Sequence, residues 1–375
     1  MTAESKSPAG YRLPFQVRFE PRLAQPGWMS AVISLGAVIL ALILGGIVLV
    51  LVGGNPIRAY AFMVKAAFGD IGVFSDTLTK ATPLILTSLA AVIAFRMRLW
   101  NIGAEGQFFI GAFGASAVVL TPLLAPDTSP WLFIPVMIVA GMIAGALWGW
   151  LPGFLKAKLN VNEIISTLMM NYIAVAWNNF FIFAVWSEGG FQMSPQFPKT
   201  AWLPRLTDFS AQIPAFRGLT THLGLLFGIV AAVVLWWILY RSRWGYEIRL
   251  IGDNPEAARY AGINIVRNTI LVMMLSGALA GLGGMAEITG VVHRLQGAIS
   301  PGYGFTGIII AWLAKLNPLL VVPIAVLFGG LILAGREIQP SGVSMLIQGI
   351  ILVCLIASDF LLRYRVRFVV REQEG

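Results

Sequence analysis

The stretch from Met29 to Val52 carries no charged residue at all, and runs of this kind recur along the whole chain. A membrane-crossing helix needs roughly 20 apolar residues, so this first run is long enough to span a bilayer. It is too long for the apolar part of a signal peptide, and no small-residue cleavage site follows it, so it reads as a retained span. Further runs fall at 77–95, 106–125, 131–151, 164–186, 223–240, 268–286, 304–314, 318–335 and 338–358. The run 304–314 is too short to cross alone as a straight helix; it is either a half-helix or a span completed by polar neighbours.

Only 11% of the residues are charged and 58% are hydrophobic. A soluble domain carries about 25% charged residues. Such a chain cannot cover its surface with charge, so lipid is its solvent. The expected fold is all-α, a polytopic transmembrane bundle of about ten spans with broken or half helices. A leader over 1–28 and a tail over 363–375 flank a transmembrane domain over 29–362. The 40 glycines fit this picture, because small residues let helices approach closely where no hydrophobic drive separates protein from lipid. The single cysteine, Cys354, sits in an apolar run, so no disulfide within the chain and no cysteine metal cluster can form. The net charge of +9 is of the kind that cytoplasmic loops beside anionic lipid produce, and nucleic-acid binding is not expected.

Charge also orients the bundle. With the N-terminus inside and ten alternating spans, most of the 26 Lys and Arg residues fall on the inner side, as the positive-inside rule requires. Both termini are then cytoplasmic. The segment 187–221 faces outside, and the loop 241–267 is the longest inner one.

Three places break the apolar pattern. In the first, residues 96–107, Gly103 and Gly106 permit an unwound backbone between two runs, which at membrane depth is tolerated only inside protein or along a wet cavity. Asn101, Glu105 and Gln107 lie there, and a carboxylate suits the positive end of the following helix. The choice between a capped helix start and a translocation path is open. In the second, Asn162 and Glu163 suit a helix start, while Asn171, Asn178 and Asn179, with Tyr172, lie within an uncharged span. These amides must either bond across helices or face a cavity. The third is the loop 241–267. Asn254 is a good N-cap, Pro255 suits the first helical position, Glu256 the first turn, and Gly262 a helix end. Ala257, Ala258 and Ala261 favour helix. A helix of about two turns is expected there, as a docking piece for a cytoplasmic partner or as a connector on the lipid heads.

Glu287 closes the seventh span, where a carboxylate is either a functional candidate or a partner for Arg294. The segment Gly103–Ala112 is similar to Gly302–Ala311, a loose internal likeness of the kind inverted repeats show. No Gly-Lys dipeptide occurs, so no phosphate-binding loop is present. His222 and His293 lack zinc-binding spacing, and no G-x-S-x-G elbow is found. An enzyme is therefore not expected.

Taken together, Trp100–Gln107, Asn162–Ile165 with Met170–Tyr172, and Gly252–Ile263 resemble the permease subunits of bacterial ATP-binding-cassette (ABC) importers. The nearest branch is that for nucleosides and simple sugars, related to ribose and branched-chain amino-acid permeases. The resemblance covers about residues 30 to 365. It implies a second permease subunit, identical or different, two cytoplasmic ATPase subunits that bind ATP and Mg, an extracytoplasmic solute-binding protein, and the bacterial inner membrane. No cofactor is expected in this chain. It also implies that Gly252, Asp253, Asn254, Pro255, Glu256, Ala257, Ala258, Arg259 and Gly262 form the element that couples to the ATPase. Asn101, Glu105, Gln107, Asn171 and Tyr172 are candidates for the translocation path. Polar uncharged groups and aromatic-rich spans suit a neutral, ring-bearing solute, a nucleoside first and a simple sugar second. The other alternative is an ATP-independent secondary transporter, which should carry ionisable groups within its spans.

Overall fold

The computed structural model describes residues 15–21, 27–121, 123–335 and 342–370. Part of the leader (with Lys6, Arg12 and Arg22), the first residues of the tenth expected span and the end of the tail lie outside these. The chain divides into two compact units, residues 1–53 with 349–375, and residues 54–348.

In the first unit, α1 (Gly27–Leu51) is the first expected span. Leu35, Ile39, Ile43 and Ile47, four residues apart, are exposed, an apolar ridge suited to lipid. The unit also holds most of α13 (Val343–Arg363), where Cys354 is buried and free. A two-stranded antiparallel ribbon pairs β1 (Phe15–Pro21) with β2 (Tyr364–Val370), in a register from Phe15 opposite Val370 to Pro21 opposite Tyr364. This ribbon is an addition to the expected all-helical fold. Its signal was present, since Phe15-Gln16-Val17-Arg18-Phe19 alternates with a period of two.

The second unit is a helix bundle. It runs through α2 (Pro56–Phe68), α3 (Ile71–Arg96), α4 (Ala104–Leu120), α5 (Pro130–Leu159), α6 (Glu163–Phe180), α7 (Gly224–Arg241), α8 (Arg243–Asp253), α9 (Pro255–Tyr260), α10 (Ile265–Glu287), α11 (Tyr303–Leu313) and α12 (Pro318–Ala334). Each of the ten apolar runs holds a helix over most of its described residues. Among the described residues five helices are long and apolar enough to cross a membrane, or up to six if α1 and α2 count as one span, and the rest are shorter. The amphipathic α2 stands where a loop was expected. Asn55 caps it through the Arg58 N–H, with Pro56 at its first position, a start signal that is readable in the sequence.

Helices α3 and α10 form the buried centre, while α5, α6 and α7 leave most of their surface exposed. Polar side chains on α3 are tolerated because they bond locally or across helices. Thr87 and Ser88 donate to carbonyls at Pro83 and Leu84, and Thr77 donates to Ala67 at 2.7 Å. The α5–α10 contact is built on glycine. A Cβ on Gly145 would land on the Gly277 carbonyl, one on Gly149 on the Met273 carbonyl, and one on Gly111 of α4 on Gly281. Backbones therefore touch directly, giving close van der Waals packing in place of a hydrophobic drive.

Candidate functional site

Helix α3 ends at Arg96, and Arg98 adopts a left-handed conformation (φ 56°) that turns the chain back into the bundle. The turn leaves the first donors of α4 without intrahelical partners, and neighbouring amides supply them. The Asn101 Oδ1 accepts the Gly103 N–H at 2.9 Å, and the Asn171 Oδ1, reaching across from α6, accepts the Gly106 N–H at 2.8 Å. Asn171 also donates to the Ile102 carbonyl at 2.9 Å. Asn101 donates to Gln107 at 3.0 Å and to Ser276 of α10 at 2.8 Å, and Ser276 donates to the Ala90 carbonyl of α3 at 2.7 Å. Four helices are joined by this chain of bonds. Gly106 is required here, since a Cβ would fall 2.9 Å from the Asn171 Cα.

The start of α11 meets the start of α4. The Glu105 carboxylate accepts the Gly304 N–H at 2.6 Å, and a Cβ on Gly304 would strike the Glu105 backbone. The carboxylate thus sits at the positive ends of two helices. Ser300 caps α11 by accepting from Gly302 and Tyr303, and Thr87 donates to the Tyr303 carbonyl at 3.0 Å. The Tyr303 hydroxyl reaches Glu287 at 3.4 Å, and Glu287 pairs with Lys80 of α3 at 3.1 Å in a buried ion pair. Glu287 therefore pairs with Lys80 and not with Arg294, which lies 3.4 Å from Glu188. Lys80 was legible only as a charge near a span end, because its partner is far away in sequence. The two glycine-rich segments that resemble each other in sequence are thus neighbours in space.

Asn101, Glu105, Gln107 and Asn171 are all buried and bonded within the bundle. Tyr172 differs: it is 67% exposed on α6, in a stripe with Ile165, Met169, Ile173 and Trp177. Asn162 caps α6 as its sequence position suggests, and Glu163 pairs with Lys156 at 2.9 Å. Asn178 donates to the Gln296 carbonyl at 3.1 Å.

At the end of the bundle where α3 closes and α10 begins, Asn254 caps α9 by accepting from Glu256 and Ala257, each at 3.1 Å. Gly262 ends it with φ 76°. Asp253, Asn254, Pro255, Glu256, Ala257, Arg259 and Gly262 are exposed, whereas Ala258 is buried against the bundle. Tyr260 is 97% exposed, a docking-type side chain that capping logic alone does not single out. The preceding residues form α8, where a loop was expected. Ser242 caps it through the Gly245 N–H at 3.0 Å, and Gly245, Ile248, Ile251 and Gly252 make its buried face. Gly252 lies against the last turn of α3, where a Cβ would strike the Arg96 carbonyl. Arg96 in turn donates to the Leu316 carbonyl at 3.2 Å and lies over the Tyr240 ring, with Arg249 also over that ring.

At the opposite end, segment 187–221 straps the π-helical end of α10 (Ile288–Val292). Leu203 N–H donates to the Thr289 carbonyl at 3.1 Å, Arg205 donates to the Gly290 carbonyl at 2.8 Å and to His293 Nε2 at 2.6 Å, and Trp202 stacks on His293 at 3.6 Å. Burial, then the Arg205 charge, lowers the His293 pKa to about 4 and that of His222 to about 3.

The family profile described as a branched-chain amino acid transport system permease component matches residues 73–356. A glucose ABC transporter permease of Haloferax volcanii is 34% identical, covering 94% of this chain and 93% of its own. A guanosine ABC transporter permease of Bacillus subtilis is also 34% identical, over 88% and 94%. A nucleoside ABC transporter permease of Lactococcus lactis is 32% identical, over 80% and 82%. With a bundle of lipid-facing helices, a capped helix exposed at one end and matches of this extent, the chain belongs to the branched-chain amino acid-type permease family and is a membrane permease component of an ABC transporter.

Proposed function

We propose that this permease imports a nucleoside, and that separate cytoplasmic ATPase subunits grip α9 and hydrolyse ATP with Mg. The exposure of α9 carries the reading. A six-residue helix is too short to be stable alone, yet this one is capped at both ends, rests on Ala258, and presents Tyr260 at 97% exposure. Behind it, α8 abuts the end of α3 through Gly252, next to the turn that leads to Asn101 and the α4–α11 junction. A push on α9 is thereby delivered to the place where two helices start inside the bundle.

The pairing of β1 with β2 supports leader and tail on one side of the membrane. The basic bias assigns that side to the cytoplasm of a bacterial inner membrane. A second permease subunit packs against the exposed stripe of α6, so that Tyr172 faces the path, while Asn101, Glu105, Gln107 and Asn171 hold its wall. A solute-binding protein delivers the solute on the side of segment 187–221.

The guanosine and nucleoside permeases among the relatives favour a nucleoside. A simple sugar is the second reading, favoured by the glucose permease of Haloferax volcanii. Membership of an ABC family leaves the ATP-independent alternative without support. The test is uptake of labelled guanosine and glucose by proteoliposomes holding the full transporter. ATP-dependent guanosine uptake, lost together with ATPase association in Glu256→Ala/Arg259→Ala, is expected. Glucose uptake without guanosine uptake moves the reading to sugar, and uptake driven by an ion gradient without nucleotide refutes it.

A further inference from the structure

Beside the α8–α9 element lies a cavity of about 1000 Å³. Its walls change character with depth. Leu271, Met274, Leu275 and Ala278 climb one side of α10, while Arg243 and Arg267, both exposed, stand at the mouth. Four residues of α10 spread over seven positions rise about 10 Å, the reach of the upper part of an acyl chain. The floor between the two zones is fixed by Asn268, which is buried. It accepts the Trp244 indole N–H at 2.7 Å and donates to the Glu247 carboxylate at 3.1 Å. A smaller hollow of about 450 Å³, lined by Lys158 and Arg267, adjoins it.

We infer that this cavity binds one anionic phospholipid, its phosphate at Arg243 and Arg267 and the start of an acyl chain along α10. The charges favour this occupant. Glu247 contributes one negative charge near the mouth, against which Arg243, Arg267 and the adjoining Lys158 leave a net positive site. Guanidinium groups match phosphate oxygens in two-point geometry. A tryptophan that lines the cavity with its N–H bonded belongs at the headgroup level, and basic pockets between helices on the cytoplasmic side are suited to anionic headgroups. The leaflet assignment rests on the cytoplasmic placement of α8 and α9 proposed above, whereas the binding site itself does not. A lipid seated there braces α8 against α10 and so stiffens the element that carries α9.

The test is native mass spectrometry of the purified transporter titrated with dioleoyl phosphatidylglycerol, with dioleoyl phosphatidylcholine as the zwitterionic comparison. Wild-type protein should retain phosphatidylglycerol in preference. Arg243→Gln and Arg267→Gln should each weaken retention roughly fivefold, the attraction expected of one basic residue to an anionic lipid. Arg217→Gln, at the far end of the chain's fold, should not. Leu275→Trp, which fills the apolar wall with both arginines in place, should also lower retention. Equal retention by all variants, an equal loss in Arg217→Gln, or a cross-link from Leu275→Cys to another protein chain would overturn the inference. A reversed membrane orientation with these results intact would refute only the choice of leaflet.

Discussion

The Glu105 carboxylate accepts the Gly304 N–H at 2.6 Å across 199 positions of sequence, and this one bond joins the starts of α4 and α11. Both helices begin among buried residues, so their first N–H groups need partners from the protein. Glu105→Ala should strand the Gly304 N–H and cost about 1–3 kcal/mol. Glu105→Gln keeps an acceptor oxygen and should cost less. Thermal unfolding of the detergent-purified protein, followed by loss of the monodisperse peak, checks the ranking Ala below Gln below wild type.

The Lys80–Glu287 pair is buried, with the glutamate side chain 3% exposed. Removing one partner of a buried pair typically costs about 3–5 kcal/mol, whereas replacing both with apolar groups can be nearly neutral. Lys80→Met and Glu287→Leu should each lower the unfolding temperature sharply, and the double substitution should recover most of it. If the double variant also transports at the wild-type rate, the pair holds α3 to α10 and takes no part in moving solute. A double variant as unstable as the singles would contradict the assignment.

At the α5–α10 contact, Gly145 and Gly277 place each Cβ position on the other's carbonyl. Gly145→Ala therefore has to separate two backbones, and it should cost about 1–3 kcal/mol by overpacking. Gly36 has nothing within 4 Å of its Cβ position, so Gly36→Ala on α1 should be tolerated. Unfolding midpoints of the two variants, measured side by side, test whether contact or glycine content sets the effect.

These relationships mark what the sequence could and could not tell. Most of the apolar runs were legible as helices because they are long, nearly free of charge and bounded by polar turns, whereas the short run 304–314 became only the eleven-residue α11. The capping of α9 by Asn254 was readable because the signal is local, with acceptor, proline and acid in consecutive positions. Asn101, Gln107 and Asn171 stood out as polar groups in apolar surroundings. Their partners did not, since Asn171 bonds to Gly106 and Asn101 to Ser276 across 65 and 175 positions. A separation of 207 positions likewise hid Lys80 from Glu287. Helix α8 was missed because Gly245 and Gly252 look like breakers, whereas in the fold they let α8 lie directly on α7 and α3.

The histidines at the far end predict a pH dependence. Both are held neutral in the fold, His293 with a pKa of about 4 and His222 of about 3, against an ordinary value of 6.5. The unfolded chain thus binds more protons below pH 6.5, and stability falls as pH falls. The contribution is complete above pH 6.5 and is lost progressively down to about pH 4 for His293. Because His293 accepts from Arg205 and stacks on Trp202, segment 187–221 should loosen first. Hydrogen exchange at pH 7 and pH 5 should show the increase there and not in α3, and His293→Phe should flatten it.

Docking and coupling should separate at α8 and α9. Tyr260 is exposed and touches nothing that holds the fold, so Tyr260→Ala should leave the unfolding temperature unchanged while weakening association with the ATPase subunits. Gly252 is the reverse: it lies on the Arg96 carbonyl and contributes no surface to a partner. Gly252→Ala has to lift α8 from the end of α3 by the width of a methyl group. Association should then persist, since α9 and Tyr260 are intact, but less solute should move per ATP hydrolysed, because the push no longer reaches the turn at Asn101. The measurement is the ratio of uptake to ATP hydrolysis in proteoliposomes. A Gly252→Ala transporter with the wild-type ratio would mean that force travels by another route.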